Sequence, residues 1–301
     1  MAHILVAGLI NLETTLKVDA FPITYNPVQY PFFGVNTTVA GVGYNITRAL
    51  TTLGDSVDLL SIIGKDAAAD VVQNTLATHN IHATHVLPHI DRTAQSVILY
   101  DETGQRAIHT DLKDIQEQHY PLDLTDALLK QADLTVLCNI NFSRPLLARA
   151  KALGIPIATD VHTIGQIDDD YNRDYMAAAD ILFQSHEQLP MTPDAWIRQI
   201  WEVYQTPVVV IGLGTDGALL GIRDSQTIAQ VPAVQTRPVV NTVGAGDALF
   251  SAFVHTYAHT QDPHLALRKA VVFASYKIGM AGAAEGFLNA ADLDEWLDRV
   301  N

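Results

Sequence analysis

Short apolar runs, often rich in β-branched residues, alternate with segments of helical periodicity along most of the chain. The apolar runs predict buried strands and read HILVAGLI, VDLLSIIG, LTVLCNI, IPIATDV, ADILFQS and TPVVVIGLG. Between them, YNITRALTTLG, ADVVQNTLATH, RPLLARAKALG and DAWIRQIWEVYQ have helical spacing, and several end at glycine. This alternation is typical of a mainly parallel sheet with helices on both faces. We therefore predict an α/β fold in a single domain over residues 1–301.

Two stretches interrupt this alternation, because they contain strand-like pieces and turn residues but no helical pattern. They cover about 15–39 and 92–111, and the second predicts a hairpin around Thr103 and Gly104. We expect these stretches to form a small β lid at the edge of the main sheet, with the α/β core formed by the remainder of the chain.

The net negative charge of the chain argues against two classes of binding partner. The 18 lysines and arginines face 33 aspartates and glutamates, for a formal charge of -15, which disfavours binding to nucleic acid or to an anionic membrane. The first residues lack a basic region and soon become polar, so we expect neither a signal peptide nor a membrane span, and a cytoplasmic location. Cys138 is the single cysteine, which excludes an internal disulfide, and its apolar neighbours indicate a buried strand.

A glycine-rich loop at residues 212–217, GLGTDG, matches the spacing of a dinucleotide-binding loop. That motif requires a helix after the glycines, whereas ALLGIRDSQTIAQV predicts a strand and a hairpin. The sequence therefore argues against a Rossmann-type oxidoreductase.

The stretch NTVGAGDALFSAF, residues 241–253, has the helical context that the first loop lacks. Leu249, Phe250, Phe253 and Tyr257 have helical spacing, so the glycines stand at a helix start. Free backbone amides there form an anion hole, which we assign to Gly244, Ala245 and Gly246. Asp247 borders this hole and is a candidate proton acceptor. Alternatively, Asp247 merely caps the helix.

Four segments in order resemble the ribokinase-like (PfkB) carbohydrate kinase family. NTVGAGD fits the second family signature, [D/N]-T-x-G-A-G-D, and AGVGYNITRAL, residues 40–50, is similar to the first, G-G-x-G-x-N. GLINLE resembles the sugar-contacting end of the first strand, and VVVIGLGTDGALL resembles the strand pair beside the nucleotide. The resemblance spans nearly the whole chain and implies a ribokinase-like fold.

The resemblance also implies an activity and a set of residues. Family members transfer the γ-phosphoryl group of ATP, with Mg²⁺, to a hydroxyl group, and Asp247 corresponds to the base, with Gly244, Ala245 and Gly246 stabilising the transferred group. Implied substrate-binding residues are Asn11, Glu13, Gly41, Gly43, Asn45 and Asn141. Implied nucleotide-binding residues are Ser185, Gly212, Gly214, Gly217 and Thr242.

The sequence departs from the family pattern at several positions. Glu13 stands where aspartate is common, and Val42 where lysine is frequent. The N-x-x-E motif that orders water around Mg²⁺ is represented by Ser185 and Gln188, with Glu187 one residue early, so either Glu187 substitutes or metal handling is altered. Asn241 replaces the aspartate that helps to hold K⁺ in some members, which implies weak or absent K⁺ dependence.

Two polar clusters suggest metal sites, but both have simpler interpretations. His79, His82, His85 and His89 lie close together without cysteines or carboxylates, in a segment that indicates a helix end and a strand. Asp168, Asp169 and Asp170 favour a solvated loop.

These observations predict an ATP-dependent kinase for a neutral, unphosphorylated sugar. The segments assigned to the substrate contain no lysine or arginine to bind a phosphate group. A nucleoside kinase of the same fold, which needs a wider and more apolar pocket, and a non-catalytic nucleotide-binding regulator are the alternatives. Exposed lid strands also predict a homodimer formed through the lid.

Overall fold

The computed structural model describes residues 1–103 and 105–300, which form two β-sheets and their flanking helices. The strands are β1 (His3–Ala7), β2 (Asn11–Lys17), β3 (Val35–Ala40), β4 (Ser56–Ile63), β5 (Val86–Pro88), β6 (Gln95–Tyr100), β7 (Arg106–Asp111), β8 (Leu134–Leu137), β9 (Ile157–Asp160), β10 (Ile181–Ser185), β11 (Val208–Gly212), β12 (Ala218–Ile222) and β13 (Thr227–Val231). The α-helices are α1 (Val42–Leu53), α2 (Ala67–Thr78), α3 (Thr125–Leu129), α4 (Arg144–Leu153), α5 (Arg173–Ala178), α6 (Pro193–Tyr204), α7 (Ala245–Thr260), α8 (Pro263–Lys277) and α9 (Ala290–Val300).

The large sheet has the strand order β13-β12-β11-β10-β9-β8-β1-β4-β5. From β11 to β5 all neighbouring strands are parallel, while β12 and β13 extend one edge as an antiparallel hairpin. Each apolar run of the sequence forms one of the parallel strands, so the predicted α/β architecture is confirmed.

Alternate residues of the parallel strands pack into cores on opposite faces of this sheet. In β1, Ile4 and Val6 join the core that includes α1, α7 and α8, whereas Leu5 and Ala7 join the core under α4 and α6. All four are fully buried, and burying an aliphatic side chain of this size contributes about 1.5–3 kcal/mol. Burial on both faces explains why these strands are continuously apolar.

The helices begin and end largely where the sequence predicts. α1 and α4 each stop at a glycine in the left-handed conformation, Gly54 (φ 97°) and Gly154 (φ 71°), which side chains with a Cβ rarely adopt. Among the helices that the structure describes, none is both long enough and apolar enough to cross a bilayer.

The small sheet has the order β3-β2-β6-β7 and corresponds to the predicted lid. β6 and β7 pair as an antiparallel hairpin, as predicted, although Gly104 of its turn lies outside the described residues. The sheet begins at Asn11, earlier than the boundary near residue 15. The difference arises because the chain leaves the large sheet at Ala7, and β2 then pairs with β6 from Leu12 onwards.

The carboxyl ends of the parallel strands lie along one edge of the large sheet. β1 leads there to Gly8, β9 ends at Asp160, β10 at Ser185 and β11 at Gly212. This edge is where open α/β sheets bind their ligands, and the small sheet joins the chain directly after β1.

Candidate active site

The start of α1 lies against the turn after β1 because two of its residues are glycines. Gly41 adopts φ 100°, and a Cβ there would lie 2.5 Å from the Leu9 carbonyl oxygen. A Cβ on Gly43 would come equally close to the backbone of Gly8. Both glycines therefore allow the start of α1 to pack directly against the backbone of the turn after β1. This packing determines the position of Asn45, which lies one turn further along the helix.

Asn45 connects the two signature segments. Its Nδ2 donates to Oδ2 of Asp247 at 2.7 Å, across α1 and α7. Asn45 is buried and its Oδ1 has no partner among the described residues. The predicted substrate residue and the predicted base therefore share one site.

The turn before α7 is fixed by a left-handed glycine. Gly244 has φ 76°, and a Cβ there would clash with the Ala283 carbonyl at 2.5 Å. The Ala245 amide donates to the Thr242 carbonyl at 3.2 Å, so the prediction that this amide is free is wrong: the tight turn that starts the helix uses it. Within residues 1–103 and 105–300 the Gly246 amide has no acceptor, and a Cβ there would meet open space. Gly246 thus presents an amide to any anion beside Asp247.

Asn11 and Glu13 reach the site from β2, the strand that starts the small sheet, rather than from the end of the first strand. Asn11 Nδ2 donates to the Ser96 hydroxyl at 2.8 Å, while its Oδ1 is buried without a partner in the described part of the chain. Glu13 is 7% exposed, and its Oε1 is likewise buried without a partner among residues 1–103 and 105–300. Buried acceptors of this kind suit the hydroxyl groups of a ligand.

Lys277, at the end of α8, was not predicted from the sequence. The side chain is fully buried, and its ammonium donates to the Val243 carbonyl in the turn before Gly244. The same helix end also holds this turn through Ile278, whose carbonyl accepts from the amides of Val240 and Asn241. Lys277 therefore brings a positive charge beneath the predicted anion hole.

These charges alter one another's protonation. Burial raises the pKa of Asp247, although the hydrogen bond from Asn45 opposes this shift. Burial, reinforced by the Asp247 charge, raises the pKa of Glu13 to about 7. Burial lowers the pKa of Lys277 to about 8, against the attraction of Asp247 and Glu13. We call the group formed by Asn11, Glu13, Asn45, Asp247 and Lys277 the hydroxyl pocket.

Most residues predicted for the nucleotide and its metal lie at the ends of β10 and β11, while Thr242 lies in the turn before α7. We call this group the nucleotide edge: Ser185, Glu187, Gly212, Gly214 and Thr242. Ser185 Oγ accepts from the Glu187 amide at 3.2 Å, and the Glu187 side chain is exposed. His186, between them, makes two hydrogen bonds to the Gly212 carbonyl and lies beside Gly214. Thr242 accepts from Arg106 of β7 at 2.9 Å, which links the small sheet to the turn.

Two predicted residues have roles that packing explains. Gly217 has φ 93°, and a Cβ there would lie 2.1 Å from the Val231 carbonyl of β13. The side chain of Asn141 forms hydrogen bonds within the protein: its Nδ2 donates to the Gln116 carbonyl, and its Oδ1 accepts from Arg144. Within the described residues, the hydrogen bonds of Asn141 go to Gln116 and Arg144 and not to members of the hydroxyl pocket.

The alternatives set aside on sequence grounds are also absent among the described residues. GLGTDG leads into the β12–β13 hairpin and not into a helix. The histidines at 79, 82, 85 and 89 do not gather into a three-ligand cluster, and Asp169 accepts from the amides of its own loop. Burial raises the pKa of the Cys138 thiol, the reverse of an activated nucleophile.

Besides Lys277, sequence reasoning missed Asp160, whose negative charge raises the pKa of Asp247 further. Asp160 ends β9 and accepts from the His162 amide at 2.8 Å. The available signal was its position, because an aspartate that ends a parallel strand points to the binding edge of the sheet.

Sequence comparisons relate the chain to known sugar kinases. Residues 1–290 match the sequence profile of the pfkB family carbohydrate kinases. The chain is 23% identical to acarbose 7(IV)-phosphotransferase of an Actinoplanes species, over 96% of both chains. It is 25% identical to the ATP-dependent ribose-1-phosphate kinase of Halopiger xanaduensis, over 94% of both.

Solved structures with similarly low sequence identity share the fold of this chain. The microbiome-derived acarbose kinase Mak1 superposes with a TM-score of 0.89, at 25% identity and 99% coverage of both chains. A putative ribokinase from Agrobacterium tumefaciens gives 0.88 at 20% identity, covering 99% of this chain and 98% of its own. The profile match over nearly the whole chain shows that this protein belongs to the pfkB family of carbohydrate kinases, which are ATP-dependent phosphotransferases.

Proposed function

We propose that the protein phosphorylates a hydroxyl group of a neutral, unphosphorylated sugar, with Asp247 as the base. The observation that carries this proposal is the contact of Asp247 with Asn45 beside the free Gly246 amide. A base, a residue that orients it and an anion-binding amide thereby converge on one point. Phosphoryl transfer requires little more than such alignment and charge stabilisation.

The transfer follows from these positions. A substrate hydroxyl donates its hydrogen bond to Asp247, its oxygen attacks the γ-phosphorus of ATP, and the bond to the β-phosphate oxygen breaks. The proton passes to Asp247, whose pKa is raised by burial, which makes this carboxylate a stronger proton acceptor than an exposed aspartate. The Gly246 amide and the start of α7 stabilise the charge on the transferred group, and ADP leaves with the bridging oxygen.

The balance of charges around the hydroxyl pocket supports a substrate without a phosphate group. Glu13 and Asp247 repel a phosphate, and the Lys277 ammonium already donates to Val243. Arg106 lies close enough for its charge to lower the pKa of Lys277, but its guanidinium donates to Thr242 at 2.9 Å. The unpartnered oxygens of Asn11, Glu13 and Asn45 offer acceptors for hydroxyl groups. The resemblance to acarbose kinases is consistent with a saccharide substrate.

Mg²⁺ is the expected companion of ATP, and the residues present fit it. Asp160, Ser185 and Glu187 offer carboxylate and hydroxyl oxygens at one edge of the sheet, the donors that Mg²⁺ prefers. Mg²⁺ usually keeps several waters and binds through one or two carboxylates and the substrate phosphates, so few protein ligands are needed. Bound Mg²⁺ supplies charge neutralisation to the phosphates, and we assign Glu187 the main protein contribution.

We also propose that the small sheet forms a homodimer. One face of the sheet exposes Val35 and Val97, each more than 40% accessible, and Phe32 and Phe33 of the loop before β3 are more exposed still. A second copy would cover this apolar surface. Sedimentation of the wild type and of Val97→Asp tests this assignment, since a wild-type monomer would refute it.

A substrate panel tests the proposed activity. We expect ATP turnover with at least one free monosaccharide or oligosaccharide at a higher kcat/KM than with any nucleoside or sugar phosphate. Asp247→Asn is the matched control, and its turnover should be lower by ~10²-fold or more. A preferred nucleoside would establish the alternative kinase, and ATP binding without turnover on any substrate would indicate a regulator. A cytoplasmic location, where ATP is available, remains a prediction.

A further inference from the structure

A second cluster of ionisable side chains lies on α7, away from the hydroxyl pocket. Asp55 stands between the end of α1 and the start of β4, and His255 and His259 lie one turn apart on one face of α7. His259 is 12 residues beyond Asp247, which corresponds to about 18 Å along a helix. The cluster is therefore separate from the site of phosphoryl transfer.

The three side chains already touch one another. His255 Nδ1 lies 2.7 Å from one carboxylate oxygen of Asp55, and His259 Nε2 lies 2.9 Å from the other. The Asp55 side chain has no exposed surface, while His255 is 11% and His259 33% exposed. In the described part of the chain, the ion pairs of Asp55 are with these two rings alone.

This arrangement has the features of a metal site. The three potential ligand atoms all lie within 4.8 Å of one another. Two histidines at positions i and i+4 of a helix present their nitrogens to one ion, and a carboxylate completes a ligand set typical of Zn²⁺. Zn²⁺ binds such atoms at about 2.0–2.2 Å, so the ligands need to separate only slightly from their present hydrogen-bonded contacts.

The surroundings leave room for a fourth ligand. His259 borders a cavity of about 730 Å³, which is also lined by Met1, Tyr257 and Gln261. This cavity gives an ion and its water a route to the partly exposed ring. A buried carboxylate without a lysine or arginine partner is also a position where a bound cation compensates the charge.

We propose that Asp55, His255 and His259 form a Zn²⁺ site with water as the fourth ligand. The ion ties the turn between α1 and β4 to the second half of α7, the helix whose first turn carries Asp247. The site serves structure and not phosphoryl transfer, so it does not depend on the proposed kinase activity.

Cobalt substitution tests the proposal directly. The full chain is treated with a chelator, titrated with Co²⁺ and followed by visible absorption, because tetrahedral Co²⁺ with nitrogen and oxygen ligands absorbs strongly. We expect one equivalent to bind, Zn²⁺ to displace it, and Zn²⁺ to raise the melting temperature. Absence of a tetrahedral spectrum, or an unchanged melting temperature, would overturn the site.

Variants separate this cluster from adventitious binding by other histidines. His259→Gln, which alters a partly exposed side chain, and Asp55→Asn should abolish the spectrum, whereas His82→Gln and His264→Gln on the surface should retain it. His259→Gln should leave kinase turnover unchanged. Retention of the spectrum in His259→Gln, or its loss in His82→Gln, would contradict the assignment.

Discussion

The hydroxyl pocket and the nucleotide edge both lie near the carboxyl edge of the large sheet, but they consist of different kinds of residue. The hydroxyl pocket consists of four buried side chains and the partly buried Asp247, and three of the five are ionisable groups with shifted pKa values. The nucleotide edge consists mainly of strand ends, glycines and exposed side chains. If our proposal is right, the chemistry depends on a largely desolvated set of fixed charges, whereas backbone and solvent-facing groups hold the nucleotide.

Removal of the base should give the largest difference between the two regions, because it should impair turnover and leave ATP binding intact. Asp247→Asn keeps the size of the side chain but cannot accept the proton, so we expect turnover to fall by ~10²-fold or more. The dissociation constant of ATP, measured by calorimetry, should remain nearly unchanged because the nucleotide edge is intact. Near-normal turnover would remove Asp247 from its role.

Lys277 should have the next largest effect. Lys277→Met removes the charge beside Asp247 and the hydrogen bond to Val243, so turnover should fall by roughly tenfold or more. Lys277→Gln is the matched control, because an amide can still donate to Val243 while the charge is absent. If the charge matters, both variants slow the reaction and shift its acid limb to higher pH; if only the turn matters, Lys277→Gln behaves like the wild type.

Glu13 allows a stability test of burial in the hydroxyl pocket. Its folded pKa of about 7 exceeds the ordinary glutamate value of 4.5, so the folded state keeps this proton to higher pH than the unfolded state, and stability declines as pH rises from 4.5 to 7. Glu13→Gln lacks this titration. Its unfolding free energy relative to the wild type should therefore rise by about 3 kcal/mol across this window. Parallel denaturant curves at both ends check this, and a constant difference would show that Glu13 is not desolvated.

At the nucleotide edge the expected effects are smaller. Glu187→Gln should raise the Mg²⁺ concentration for half-maximal turnover by a few-fold, because a water-mediated contact loses its charge. Gln188→Ala, one residue along, is the control and should change it less. Identical Mg²⁺ titrations of the two variants would exclude Glu187 from metal handling.

The smallest effect is expected from K⁺. Asn241 has no charge to hold a monovalent ion, and its Oδ1 accepts from the Val243 amide at 2.8 Å. The Lys277 ammonium donates to the carbonyl of the same Val243. Exchange of Na⁺ for K⁺ at constant ionic strength should therefore leave turnover almost unchanged, and strong activation would contradict this view of the turn.

The two regions were also unequally predictable from sequence. Periodicity gave the parallel strands and helices, and the glycine-rich segments led to Asn45 and Asp247, because close backbone approach restricts the residue type. Lys277 was missed because ASYKIGM is an ordinary amphipathic helix end, and only tertiary packing of α8 on α7 turns its ammonium inward. The position of Glu13 on β2 depended on a pairing with β6 that is distant in the chain.

The pH dependence of kcat/KM tests most directly whether a desolvated carboxylate carries out the chemistry. For the wild type, with its preferred sugar and saturating Mg-ATP, we predict an acid limb at a pH well above the ordinary range of an aspartate, because burial raises the pKa of Asp247. The residual activity of Asp247→Asn should lack this limb. A wild-type profile that stays flat down to the ordinary aspartate range, or a limb that persists in Asp247→Asn, would contradict the account.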